Sequence, residues 1–286
     1  MESNYEKRGY LKEDYHYFRL KSAGAPSVDY HYHEFGKLMF LWEGAGYYVI
    51  EGCRYSLQPG DMVLVPRGSV HRPELSAAES YYRTILYLSG DFIKRNTENG
   101  TCGEELFSSP GGHVLRPSPA EKMEWQGLLE KMEGELNGEQ PGSAAMARCL
   151  LTELLILLGR KQQKGRAEPL SAPGGDEKMR EILLYINAHL AEEIPVEALS
   201  ERFYISKYHM MRRFKQETGM PVHSYITEKR LLLARDCMDA GESATAACYR
   251  SGFQSYSSFS RAYQKRFGVS PTGKVRREAD RLEGTE

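Results

Sequence analysis

The sequence predicts a two-domain α+β protein: an N-terminal antiparallel β-barrel with a helical pair behind it, then an all-α region built from two helix-turn-helix units. Three observations carry that expectation. Residues 28 to 88 alternate strand and turn with no helical period. The stretch Arg160 to Asp176 is rich in Gly, Pro and charge and almost free of apolar residues, the composition of a linker. In the C-terminal third a skeleton recurs: Arg212, Phe214 and Gly219 are answered by Arg261, Tyr263 and Gly268, each 49 positions later. Two copies are too few for a solenoid, so a side-by-side pair of helix-turn-helix units is the better physical idea.

At 286 residues the chain is long enough for two cores. Met1 to Tyr17 is polar and charged, without the apolar centre of a secretory signal. The most apolar run, Leu150 to Leu158, is interrupted by Thr152 and Glu153 and too short for a bilayer. The five cysteines lack metal-type spacing. Reduced thiols in a cytoplasmic protein with no membrane partner are therefore expected. Net charge is −1, yet Asp176 to Arg277 carries 17 Lys/Arg against 12 Asp/Glu. A cationic excess confined to one region fits phosphate contact there, although a solvated helix face carries such charge too.

The first domain, residues 1–118, is read from its turns. Gly46 to Leu57 holds aromatic and β-branched residues around Glu51-Gly52, a hairpin signal. Gln58 to Asp61 and Pro66 to Gly68 are turns flanking the apolar strand Met62 to Val65, and Tyr81 to Leu88 is a further strand. A helical segment, 119–160, follows. Met123, Leu128, Leu129, Met132 and Leu136 form one apolar stripe; Met146, Leu150, Leu151, Leu154, Leu155 and Leu158 form another. Apolar residues on more than one face of the second helix predict burial in a second copy of the chain, a homodimer; packing on the barrel alone is the plainer account.

After the linker, 161–176, the region 177–280 reads as helices throughout. Met179, Ile182, Leu183, Ile186 and Leu190 mark an amphipathic helix, and Pro195 starts a short one. Ser206 is placed to cap the next helix and Gly219 to end it, with Met210 and Phe214 facing the core. Pro221 opens a longer helix through Met238. A short helix from Ser243 to Ser251, a turn at Gly252 to Ser255 and a helix to Phe267 complete the second unit.

Two resemblances follow from these residues. Gly60, Pro66, Gly68 and His71, with His31-Tyr32-His33 upstream, resemble the motifs of the cupin barrel. Metallated cupins use three histidines and a carboxylate a few residues after the first pair. Lys37 and Leu38 stand where that carboxylate falls, and an inward ammonium opposes a divalent cation. The expectation is no metal and no other cofactor, with His31, His33, Tyr48 and His71 lining a polar site for a small-molecule effector, a sugar by their hydrogen-bonding chemistry. Ser206, Arg212, Phe214, Lys215 and Glu217 to Gly219, then Gly252-Phe253, Phe259 to Arg261, Arg266 to Gly268 and Ser270-Pro271, are similar to the DNA-binding region of the AraC/XylS family of bacterial transcription regulators. That resemblance implies a second helix of each unit in successive major grooves. Lys207, Tyr208, Met211, Arg212 and Lys215 would then meet DNA from the first unit, and Tyr256, Ser257, Ser260 and Arg261 from the second. Each has a plainer account, an arginine paired with a neighbouring carboxylate or a tyrosine packed in place. The sequence departs from the family at Tyr204, where glycine is usual in the turn, and at Ala244, Ala247, Cys248 and Ser251, smaller than the family's residues. The second unit is accordingly expected to be the looser.

The resulting expectation is a non-enzymatic, ligand-responsive regulator of carbohydrate or related metabolite genes. Its partners would be promoter DNA, an effector, a second copy of the chain and, further, RNA polymerase. The alternative is a metal-dependent cupin enzyme with an appended helical domain. A third class is an interaction module whose helical repeat binds protein.

Overall fold

The computed structural model describes residues 11, 13–23, 28–75, 80–98, 104–108, 113–164 and 176–273. The chain divides into two compact units, Met1–Arg180 and Glu181–Glu286. That division falls inside a helix, a few residues beyond the expected start at 177. Most of the expected linker lies outside the described residues, and its first part, 161–164, is helical.

In the first unit the strands are β1 (Tyr15–Ala23), β2 (Gly36–Glu43), β3 (Gly46–Ile50), β4 (Cys53–Leu57), β5 (Met62–Val65), β6 (His71–Leu75), β7 (Ser80–Leu88) and β8 (Val114–Leu115). They form a five-stranded sheet, β1-β7-β2-β5-β8, and a three-stranded sheet, β4-β3-β6. The expected hairpin is present: Ile50 pairs with Cys53, and Glu51 and Gly52 both take positive φ, at 49° and 74°. That is the I′ geometry whose twist matches its strands. β1 was not anticipated, since polar and aromatic residues mix along it; it pairs antiparallel with β7 from Tyr15 with Leu88 to Ala23 with Ser80.

Strand alternation distributes the side chains between two cores. Leu38 and Phe40 of β2, with Met62, Leu64, Leu86 and Leu88, face outward under the helices. Met39 and Leu41, with Val63, Val65 and Ile85, face inward against Tyr48, Ile50, Tyr55 and Leu57 of the small sheet. The covering helices are α1 (Gly90–Glu98), α2 (Glu104–Ser108), α3 (Pro119–Leu136) and α4 (Ser143–Lys164). Ser118 caps α3 in a reciprocal capping box with Glu121. The expected stripe on α3 needs correction. Leu128, Leu129 and Met132 are buried, but Met123 is 68% and Leu136 41% exposed, and the helix anchors instead on Trp125, fully buried. On α4, Leu151, Leu154, Leu155 and Leu158 are buried as expected, whereas Met146 is 51% exposed.

The second unit holds the rest of α5 (Glu177–Ala188), then α6 (Val196–Arg202), α7 (Lys207–Thr218), α8 (Val222–Asp239), α9 (Ala244–Arg250) and α10 (Tyr256–Phe267). Pro195 and Pro221 sit just ahead of α6 and α8, at the N-cap position. The small residues of α9 do not leave the second unit open. Ala247 and Cys248 are fully buried against Leu231, Ala234, Phe259 and Tyr263. A run of aromatic contacts, Phe253 to Phe259 at 5.2 Å, Phe259 to Tyr263 at 5.5 Å and Tyr263 to Phe267 at 4.4 Å, fills the volume.

Candidate effector site and nucleic-acid interface

The histidines reach one place from different elements. His31 and His33 lie before β2 rather than within a strand, and His31 makes an isolated bridge with His71 at the start of β6, N–H to carbonyl at 3.1 and 2.8 Å. Without strand alternation here, His33 and its neighbour Glu34 are both buried. The three rings lie with centroids 4.3 to 5.1 Å apart. Tyr48, from β3, stacks on His71 at 5.9 Å. All four expected residues therefore converge.

Backbone carbonyls set the tautomers. His71 Nδ1 meets the Ser69 carbonyl at 2.9 Å and His31 Nδ1 meets the Asp29 carbonyl at 2.8 Å. A carbonyl only accepts, so each Nδ1 carries the proton, and in a neutral ring Nε2 keeps its lone pair. Burial first, then the Lys37 and His31 charges, hold His33 at about 2. Burial, then Lys37, push His71 well below the ordinary histidine range. Both are neutral at pH 7. Nε2 of His71 and both ring nitrogens of His33 are buried without a hydrogen-bond partner.

Lys37 is the residue whose direction decides the chemistry. It is 6% exposed and points inward, its Nζ donating to the Tyr48 hydroxyl at 3.0 Å. Burial first, then neighbouring Tyr81 and Tyr87, raise the Tyr48 phenol, so it stays protonated. The nitrogens of His31, His33 and His71 lie within 4.8 Å of one another, a set that suits a metal by geometry. Lys37 works against one: its ammonium lies within electrostatic reach of His33 and His71 and opposes a dication held between the rings.

On the second unit, α7 and α10 are built alike. Ser206 accepts from the His209 N–H and Ser255 from the Ser258 N–H, fixing each helix start. Gly219 and Gly268 end the helices in the left-handed conformation, φ 74° and 76°. Phe214 and Phe259 are fully buried, which turns the opposite face outward. On α7 that face is Lys207, Tyr208, Met211, Arg212 and Lys215, all exposed. Lys207 is held by Glu197 of α6. On α10 Ser257 and Arg261 are exposed, with Arg261 Nε donating back to the Ser257 carbonyl at 3.3 Å. Ser260 is half-buried. Tyr256 is half-buried too, edge-on to Phe259 at 5.8 Å, so packing competes with any outward role. Gln264, exposed one turn beyond Arg261, was missed; its i+3 spacing from that arginine was the available signal.

Two turns hold the helices in place. Tyr204, 90% exposed, adopts φ 50° where glycine is usual. Gly252 has φ 91°, and a Cβ there would stand 2.1 Å from the Leu190 carbonyl oxygen. Arg230 donates to that same carbonyl at 2.8 Å, and Arg266 pairs with Glu228, tying α10 to α8.

Comparison with known proteins matches both units. A family model described as an AraC-like ligand binding domain matches residues 15–155, and one described as a helix-turn-helix domain matches residues 199–277. The chain is 25% identical over 255 residues to the HTH-type transcriptional activator RhaS of Citrobacter koseri, covering 88% of each. It is 26% identical over 256 residues to RhaS of Salmonella newport, again covering 88% of each. Among solved structures it is similar to ToxT from Vibrio cholerae, 14% identical, TM-score 0.36, over 91% of this chain and 97% of that one. It is also similar to the DNA-binding domain of AdpA in complex with a target DNA, 27% identical, TM-score 0.33, over 36% of this chain and 96% of that one.

Proposed function

This chain belongs to the AraC family of transcription regulators, with a ligand-binding and a DNA-binding domain, and from that premise we propose that α7 and α10 read promoter DNA while the histidine cluster receives the effector. The observation that carries the reading is the pair of capped helices, each with a buried phenylalanine behind it and an arginine on its exposed face. Arg212 is the base reader, able to present a bidentate fork to guanine, with Tyr208 and Met211 contacting apolar base edges or phosphates. Lys207 and Lys215 position α7 on the backbone, Lys207 after release from Glu197. Arg261, Ser257 and Ser260 serve the same role from α10, and Tyr256 secures the helix start. His31, His33, Tyr48 and His71 bind an effector of carbohydrate or related type, which their hydrogen-bonding chemistry supports, and two RhaS transcriptional activators among the relatives support the regulatory role.

The protein acts in the cytoplasm as a homodimer, with RNA polymerase as a further partner. Dimerisation uses the face of α4 where Met146, Leu150 and Leu157 lie at spacings of four and seven, one exposed and two half-buried. The inward Lys37 supports the regulator over a metal-dependent cupin enzyme. Binding to DNA upstream of its own gene, measured by fluorescence anisotropy across 50 to about 200 mM salt, tests the central reading. Affinity falling by orders of magnitude over that range is expected for several phosphate contacts. Salt-insensitive binding, or none, would sink it.

A further inference from the structure

The effector site holds two unlike kinds of hydrogen-bonding group, and together they restrict what fits. The first kind is acceptors. His71 Nε2 and the unprotonated nitrogen of His33 are buried without partners, and a buried polar atom without a partner in a native fold calls for a specific explanation. A ligand hydroxyl supplies the missing proton. The second kind is cationic donors. Lys37 Nζ lies 3.0 Å from the Tyr48 hydroxyl, buried beside the same rings. Arg83 of β7, 6% exposed, donates to Ser22 at 3.0 Å from the same inner side, and its charge acts on Tyr48. A neutral sugar answers the acceptors alone, whereas a ligand that also carries a carboxylate answers the inward cationic donors as well. A divalent metal answers the imidazoles and is repelled by the ammonium.

We propose that the site formed by His33, Lys37, Tyr48 and His71 selects a hydroxylated carboxylic acid, such as a uronate or aldonate, over the neutral sugar. Its hydroxyls donate to the imidazole lone pairs, and its carboxylate accepts from Lys37 and the Tyr48 hydroxyl, a charge-assisted pair in a low-dielectric interior. This deepens the reading of the barrel as the effector domain and rests on it.

The test is calorimetric titration and thermal shift of the full chain with D-galacturonate, D-glucuronate and D-gluconate, set against D-galactose, D-glucose and sorbitol. At least one acid is expected to bind at least tenfold more tightly than its neutral counterpart. Lys37→Met should remove that preference, and Lys37→Arg, which keeps the charge, should retain part of it. His71→Asn should weaken the acid about tenfold with the preference intact. Equal or tighter binding of the neutral partners overturns the proposal, as does failure of all three acids, stabilisation by D-glucose 6-phosphate alone, or a preference that survives Lys37→Met. An equimolar metal retained by protein purified without an affinity tag also overturns it. Anisotropy on the same preparation separates the two levels. Salt-dependent DNA binding alongside failed acids sinks only this inference, while lost DNA binding sinks the regulator reading itself.

Discussion

Arg212 stands on the exposed face of α7 with Phe214 buried behind it, so its guanidinium is free to move while its helix is not. Arg212→Ala is expected to weaken specific DNA binding by about 1–3 kcal/mol, with loss of preference at the base it reads. Lys215→Ala should weaken all sequences alike and lower the salt slope by about one. Competition anisotropy with single-base variants distinguishes the two. At the other site, residue-scale chemistry predicts a pH dependence. His33 and His71 have folded pKa values below the unfolded 6.5, so below that pH the unfolded chain takes up protons that the folded chain refuses. Stability is present above about pH 6.5 and is lost as pH falls. Between pH 7.5 and 5.5 the loss is on the order of 1 kcal/mol per histidine. Urea midpoints at the two pH values measure it, and His33→Asn should about halve the difference, leaving the His71 share.

At the scale of elements, what matters is how helices and strands are pinned. Gly252 joins α9 to α10 at φ 91° against the Leu190 carbonyl. Gly252→Ala combines backbone strain with a clash against backbone, and is expected to cost about 3 kcal/mol. It should appear as a lowered urea midpoint in the helical circular dichroism signal and as weakened DNA binding, since α10 loses its seat. In the barrel, Asp61 is fully buried at the start of β5 and accepts from Arg116 Nε and Nη2 at 3.0 and 2.9 Å and from the Gln58 N–H at 2.9 Å. Asp61→Ala removes the buried carboxylate that accepts from the half-buried Arg116 and the Gln58 N–H, and should destabilise the first unit by about 2 kcal/mol. Protein with an unchanged midpoint would contradict the role given to that pair.

For the molecule as a whole, the prediction concerns self-association. If Met146, Leu150 and Leu157 meet a second copy, Met146→Glu should shift sedimentation at micromolar concentration from dimer to monomer. Its unfolding midpoint should change by less than about 0.5 kcal/mol, since that side chain is half exposed already. Monomer in the unaltered protein would sink the dimer. Among the described residues no helix is long and apolar enough to cross a membrane.

Much of the fold was legible because it is locally encoded. The Glu51-Gly52 turn, the serine caps and the glycine stops are written in a few consecutive residues whose backbone preferences need no distant partner, and the 49-residue recurrence placed two similar units side by side. The exposed face of α7 followed from periodicity once Phe214 was taken as core. Other features were illegible for the opposite reason. β1 has mixed composition and is a strand because β7 pairs with it. Met123 and Leu136 read as core, but α3 buries Trp125 instead, since helix rotation is set by the surface it packs on. The sequence by itself determined the element types, the twin helix-turn-helix and the histidines as candidates. Only the tertiary structure decided which way Lys37 points, because a one-residue change of strand register sends a side chain to the other face of a sheet. That direction, toward Tyr48 and the two neutral imidazoles, gives the effector site its charge.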